Sequence, residues 1–334
     1  MDDPILQVQD IRAEFATPDG IVRAVNDVSF SLGRGRTLVL TGESGSGKST
    51  IALAIMGLLP SPAGRITAGH VLLEGRDLLA LQPDEMRLLR GKEIAIVFQD
   101  PSSSLNPVLS VGQQVEEIIT NHLAVSKREA RRQAIDVLRR IGLPDPADVV
   151  KRYPFQLSGG MAQRVMIAIA TALQPSVLIL DEPTSALDVT VQAAILDDLQ
   201  KLQREQETSI LLITHDLGVV AQMADDVAVM YAGHIAEYGT AQEVFARPRH
   251  PYTWSLLQSR PRWDKDREEL GRLLAIRGNP PSLIDLPDEC PFLPRCPKAT
   301  SICRIEPAPR LTPVEGDGHL TACYNPMYLD DDQA

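Results

Sequence analysis

The sequence predicts an α/β fold organised round a phosphate-binding loop, and three observations predict it. Residues 42–50 read GESGSGKST, which fits G-x-x-x-x-G-K-[ST]. The run before it, TLVLT at 37–41, is short, apolar and β-prone, and residues 48–59 after it read as a helix. Further on, apolar runs at 177–180 and from Ile210 are separated by a helical stretch at 189–205, the alternation of parallel strands with crossover helices.

The elements follow in order. Residues 5–32 alternate in places, with Val28, Phe30 and Leu32 set against Ser29 and Ser31, and suggest antiparallel strands. Gly33-Arg34-Gly35 is a turn. The central strand, loop and helix run to Leu59, where Pro60 and Pro62 break the chain. Val71, Leu72 and Leu73 before Glu74-Gly75 form an edge hairpin, and 94–98 is a short core strand ending at Gln99. Residues 108–142 read as helical, with Ala134, Leu138 and Ile141 on one face. Arg128, Arg131, Arg132, Arg139 and Arg140 fill the solvated faces, and Pro144 and Pro146 end the segment. In the helix at 189–205 the apolar positions include Val191, Ile195, Leu199 and Leu202. Residues 223–239 return to short strands with a turn at Ala232-Gly233. No period of 20–50 residues repeats, so there is one phosphate-loop unit, not two.

Composition bounds the function. The 334 residues are 44% hydrophobic, enough for a large core. A formal net charge of −11 argues against nucleic acid as a partner, since phosphate neutralisation needs a basic face. No apolar run approaches the ~18 residues of a membrane-spanning helix. The start, MDDPILQ, lacks a basic and apolar signal region, so a cytosolic chain is expected.

The motifs carry chemistry. Gly42, Gly45 and Gly47 let the backbone bend and turn its N–H groups toward phosphates. Glu43, Ser44, Ser46 and Thr50 complete the loop, and the start of the helix adds its positive dipole end. Lys48 is expected to reach the β and γ phosphates, and Ser49 to ligate Mg²⁺. Asp181 ends an apolar strand, where it would hold Mg²⁺ directly or through water. Glu182 beside it is the expected base, or the group that orients water for attack on the γ-phosphate.

With LSGGMAQR from Leu157, VFQDP around Gln99, SALD at 185–188 and ITHD around His215 in view, the chain resembles the nucleotide-binding subunit of an ABC transporter. The resemblance covers essentially the whole length. It implies a P-loop NTPase core of ABC type with an N-terminal antiparallel β subdomain, a helical signature subdomain and a Pro/Cys-rich C-terminal extension. It divides the chain into an ATPase domain at 1–245, with the helical part at about 100–175, and an extension at 246–334. Gln99 would contact Mg²⁺ and the attacking water. Ser158, Gly159 and Gly160 would form the signature's phosphate-facing part, Asp188 would close the D-loop, and His215 would be the switch near the γ-phosphate. Phe15 would stack on adenine. Met161 stands where many members have Gln, as it often does in peptide permeases. The family packs two such subunits head to tail, each ATP lying between one loop and the partner's signature.

After Ala246, RPRHPYTWSLL resembles the start of the extension in oligopeptide and dipeptide permease ATPases. All four cysteines, Cys290, Cys296, Cys303 and Cys323, follow it with gaps of five, six and nineteen residues. Disulfides are disfavoured in a reducing cytosol. Structural zinc usually brings a C-x₂₋₄-C pair, which is missing, and a [4Fe–4S] centre needs four thiolates but not at this spacing. Spacing alone leaves iron–sulfur, zinc and plain thiols open. Resemblance to D-type permease subunits, which often end in such a set, implies a [4Fe–4S] cluster with Zn²⁺ as the alternative. The whole resemblance implies the ATPase of an importer of dipeptides or oligopeptides, or of nickel chelates, glutathione or another small solute. Its partners would be two transmembrane permease subunits, a second ABC ATPase subunit and an extracytoplasmic solute-binding protein, at the cytoplasmic face of the inner membrane. A soluble ABC ATPase acting on nucleic acid or ribosomes is the reading that the charge and the single phosphate-loop unit oppose.

Overall fold

A computed structural model of the chain describes residues 3–185, 187–259, 276–315 and 318–328. In chain order its strands are β1 (Leu6–Thr17), β2 (Gly20–Leu32), β3 (Thr37–Thr41), β4 (Gly64–Leu73), β5 (Arg76–Asp77) and β6 (Ile94–Val97). There follow β7 (Val177–Asp181), β8 (Ser209–Ile213), β9 (Asp226–Tyr231), β10 (His234–Thr240), β11 (Thr312–Glu315) and β12 (His319–Thr321). One antiparallel sheet has the order β2-β1-β4-β5, and the main sheet the order β11-β12-β10-β9-β3-β8-β7-β6. From β9 to β6 the main sheet is parallel, whereas β10, β12 and β11 run antiparallel to their neighbours.

The main sheet is a wall between two cores, and strand periodicity assigns each residue to a side. Val39, Leu178, Leu180, Ile210 and Leu212 face a core shared with the helices. Leu38, Leu40, Val177, Ile179, Leu211 and Ile213 face a second core shared with the antiparallel sheet and the helix Lys48–Ile55. These strands are buried on both faces, which is why they read as unbroken apolar runs rather than as alternation. A one-residue slip would exchange the two sets, so the register is held by both cores at once.

Several local expectations change. The first helix ends at Ile55 instead of Leu59, because Gly57 takes φ 60 and the Leu58 N–H donates to the Leu53 carbonyl at 2.8 Å, a left-handed closure of the last turn. Residues 108–142 form two helices, Val111–His122 and Lys127–Arg140. Ser126 stops continuity by accepting from the Glu129 N–H and starting the second helix. Arg128, Arg132, Arg139 and Arg140 are solvent-exposed as expected, while Arg131 is half-buried and pairs with Glu116 at 2.8 Å. The hairpin at Glu74-Gly75 belongs to a strand of 10 residues, β4, not to a short edge piece.

In the extension, strands β11 and β12 pair onto β10 and so prolong the main sheet. Glu237 on β10, fully buried, holds this docking. Its carboxylate accepts from the Arg249 N–H at 2.7 Å and the His250 N–H at 2.8 Å, and pairs with His319 Nε2 at 2.7 Å. A buried carboxylate persists because each of these groups satisfies it.

Candidate active site

The phosphate loop connects β3 to the helix Lys48–Ile55 and has room only for glycine at two points. Gly42 lies at φ 145 and Gly47 at φ 102. A Cβ at Gly42 would stand 2.1 Å from the Met230 carbonyl oxygen, and one at Gly47 would stand 2.3 Å from that of Ala24. Lys48 is 6% exposed and folds back into the loop. Its Nζ donates to the Gly42 and Glu43 carbonyls at 2.9 and 2.8 Å and to Ser46 Oγ at 3.2 Å. Burial pulls its pKa below the usual lysine value, against the opposing pull of Glu182, Asp181 and Glu43. The ammonium thus sits where further negative charge stabilises it.

The remaining groups project from the carboxyl ends of neighbouring parallel strands. Ser49 Oγ lies 3.1 Å from Asp181 Oδ1 at the end of β7, and burial raises the Asp181 pKa from its ordinary value. Two hard oxygen donors side by side, one an under-compensated carboxylate, fit Mg²⁺. Glu182 follows at φ 47, an uncommon conformation for a side-chain-bearing residue, with its N–H donated to Ile213 at 2.9 Å. The turn aims its carboxylate between two partners. Gln99 Nε2, past the end of β6, donates to Oε2 at 3.2 Å. His215 Nδ1, past the end of β8, lies 2.9 Å from Oε1. Glu182 is mostly sheltered while His215 is 61% exposed, so the imidazole forms the open side of the cluster.

The other candidates lie elsewhere. Ser158 caps the helix Gly159–Thr171, its Oγ accepting from the Met161 N–H at 3.4 Å. Asp188 caps the helix Val189–Gln206, accepting from the Thr190 and Val191 N–H groups at 3.1 and 3.0 Å. Ser158, Gly159, Gly160 and Asp188 line one open hollow to which no phosphate-loop residue contributes. Ala186, inside the D-loop-like stretch, lies outside the described residues. Phe15 is half-buried on β1 with its ring over Gly64, where a Cβ would come within 2.9 Å of it.

The four cysteines line one small, mainly apolar cavity together with Phe292 and Leu293. Burial pushes Cys296 up to about 11 and Cys323 up to about 12, and the neighbouring cysteines add to both shifts. Among the described residues, however, no three His, Cys, Asp or Glu side chains stand close enough to hold one metal ion. The expected metal centre at Cys290, Cys296, Cys303 and Cys323 is therefore not formed as a tight ligand set. The sulfurs share a cavity without converging on a point. The donor chemistry suits a soft metal group, whose positive charge would offset the cost of thiolates at buried Cys303 and half-buried Cys290, Cys296 and Cys323.

Sequence reasoning missed two residues beside the loop. Tyr252 Oη accepts the Glu43 N–H at 2.8 Å, and Arg295 makes a bidentate pair with the Glu43 carboxylate at 2.8 and 3.0 Å. Tyr252 belongs to the HPY segment and Arg295 precedes Cys296, so both stood inside stretches singled out for other reasons.

The family model described as "ABC transporter" matches residues 25–185, and one described as "Oligopeptide/dipeptide transporter, C-terminal region" matches residues 236–303. The chain is 47% identical over 321 residues to the dipeptide transport ATP-binding protein DppD of Bacillus subtilis (strain 168), covering 96% of this chain and 94% of that protein. It is 49% identical over 325 residues to the oligopeptide transport ATP-binding protein OppD of Salmonella typhimurium, covering 97% and 94%. Among solved structures it resembles the dimeric post-hydrolysis state of the ATP-binding cassette MJ0796 bound to ADP and Pi. There the TM-score is 0.64 at 28% identity, over 71% of this chain and 98% of that one. The structure of cbiO1 from Clostridium perfringens, part of the cbiONQ complex, matches at TM-score 0.62 and 30% identity, over 74% and 92%. The chain belongs to the ABC transporter ATPases, in the branch of dipeptide and oligopeptide transport ATP-binding subunits.

Proposed function

We propose that this ATPase drives uptake of dipeptides or oligopeptides, with Glu182 as the group that prepares water for attack. The observation that carries this reading is the hydrogen-bonded set Gln99–Glu182–His215 beside Ser49, Asp181 and Lys48, at the ends of adjacent parallel strands. Loop N–H groups from Gly42 to Thr50 and Lys48 hold the phosphates. Ser49 and Asp181 would hold Mg²⁺, with Gln99 as a further contact, and the bound metal would supply charge stabilisation at the transferring phosphoryl group. Glu182 accepts the water's proton, Gln99 and His215 keep its carboxylate aimed, and His215 faces the γ-phosphate. Phe15 would stack on the adenine.

Ser158, Gly159, Gly160 and Asp188 serve a second subunit's nucleotide. Their hollow is open and separate from this chain's own loop, which favours a site shared across a head-to-tail pair. The second subunit is a different ATPase chain. Two permease subunits anchor the pair at the cytoplasmic face of the membrane, and a solute-binding protein selects the cargo. Among the described residues no helix is long and apolar enough to cross a membrane. Cys290, Cys296, Cys303 and Cys323 hold a [4Fe–4S] cluster. What supports this reading is that all four cysteines line one small cavity.

The test is reconstitution of the full importer in liposomes with labelled dipeptides, glutathione and a nickel chelate. Peptide uptake that requires ATP and is lost in Glu182→Gln is expected. Uptake of the other solutes only would reassign the cargo.

A further inference from the structure

The turn that carries Arg295 begins and ends on cysteines. The Leu293 N–H donates to the Cys290 carbonyl at 2.9 Å, the Arg295 N–H to Phe292 at 2.9 Å, and the Cys296 N–H to Leu293 at 3.4 Å. From this turn the Arg295 side chain, 5% exposed, reaches the phosphate loop. Nη1 and Nη2 grip the two oxygens of Glu43 at 2.8 and 3.0 Å. Nη1 also donates to Tyr231 Oη at 3.1 Å, and Nε donates to the Arg277 carbonyl at 3.0 Å. Glu43 is thereby held at three points: its carboxylate by Arg295, its N–H by Tyr252, its carbonyl by Lys48. Two of these holds come from the extension, 252 and 209 residues away in sequence.

A carboxylate on a phosphate loop is an electrostatic liability, because it repels the ligand. Neutralised by a bidentate guanidinium it becomes a handle by which the loop is fixed. We propose that Arg295 is a positioning residue of the ATP site. Through Glu43 it sets the shape and charge of the loop and makes nucleotide affinity depend on the order of the cysteine-bounded turn. The proposal rests on the reading of the loop as the ATP site and of Cys296 as a cluster ligand.

The test measures ATP and ADP dissociation constants on the purified full chain for wild type, Arg295→Gln, Arg295→Lys, Glu43→Gln and the Arg295→Gln/Glu43→Gln double variant. Far-UV dichroism and amide exchange at 43–47 are recorded alongside. Arg295→Gln should weaken binding about tenfold or more, because it leaves a charged carboxylate unpaired beside the phosphates. Glu43→Gln should cost less, and the double variant should return to its level. Such suppression does not follow from a merely structural loss. Arg295→Lys should fall between wild type and Arg295→Gln, with exchange at 43–47 faster and the fold native. In the assembled importer Arg295→Gln should raise KM for ATP and spare kcat at saturation. Cys296→Ser should weaken ATP binding as Arg295→Gln does and add little to it. Arg295→Gln binding like wild type with a native spectrum, or no rescue by Glu43→Gln, would overturn the proposal. Unchanged ATP affinity in Cys296→Ser would overturn the link to the cysteines. A wild-type chain that bound ATP no better than Lys48→Ala would instead sink the ATP reading itself, a distinguishable result.

Discussion

Replacing Glu182 by Gln isolates what its charge does. The side chains are isosteric, and both observed contacts can survive the change. The amide oxygen accepts from Gln99 Nε2, at 3.2 Å in the wild type, and the amide nitrogen can donate to His215 Nδ1, at 2.9 Å. The φ of 47 at this position suits Gln as well as Glu. Lys48, Ser49 and Asp181 do not contact the altered group by hydrogen bonds, so the nucleotide affinity should stay within about threefold, roughly 0.7 kcal/mol. What disappears is a proton acceptor, worth about 10²–10⁴ in rate or ~3–5 kcal/mol of barrier. Single-turnover hydrolysis in the assembled importer, with equilibrium binding of ATP measured in parallel, separates the two quantities. Turnover within threefold of wild type would refute the assignment of Glu182. A parallel loss of binding would show that the three-residue cluster is needed for structure first. Glu182→Ala, which abandons both hydrogen bonds, should lose rate as severely and disturb Gln99 and His215 as well.

Other outcomes follow from the same contacts. Lys48→Ala should weaken ATP binding by about a hundredfold, since the loop loses both the cation and three loop contacts; isothermal titration checks this. His250 is buried and its pKa is pushed down to about 4 from 6.5. The folded state holds it neutral while the unfolded state protonates below 6.5, so its contribution is complete above 6.5 and is lost as pH falls toward about 4. The loss is on the order of 3 kcal/mol, and His250→Asn, which can still cap the helix Pro251–Gln258, should flatten the urea-midpoint profile across that window. Anaerobically purified protein should carry about four irons and four sulfides per chain, and Cys296→Ser should lose most of them. One zinc and no sulfide would install a zinc site instead.

How much was legible depended on distance along the chain. The loop, Asp181–Glu182 and His215 each sit within a few residues of a strand end, and local pattern suffices to place them. Their meeting required only the rule that parallel strands end on one side. The break at Ser126 was masked by apolar positions that continue across it, and the early end of the first helix by apolar residues beyond Gly57. The Arg295–Glu43 pair spans 252 residues and joins two charges that are unremarkable alone. Glu237 inside β10 looked like an ordinary polar strand position, and only the folded chain shows three groups converging on it. Short β11 and β12, with Pro313 in the former, carried too little β signal to be read as sheet.

The pairing of β12 onto β10 also has a consequence during synthesis. A ribosome makes β10 about eighty residues before it makes its neighbour, an interval read directly from Thr240 and His319. Throughout that interval β10 presents an unpaired edge, and Glu237 waits without His319. At roughly 5–20 residues per second this exposure lasts several seconds, long enough for strand edges of nascent chains to find one another. A chain truncated before residue 312 would retain every nucleotide-binding motif while leaving the β10 edge without β12 and Glu237 without His319.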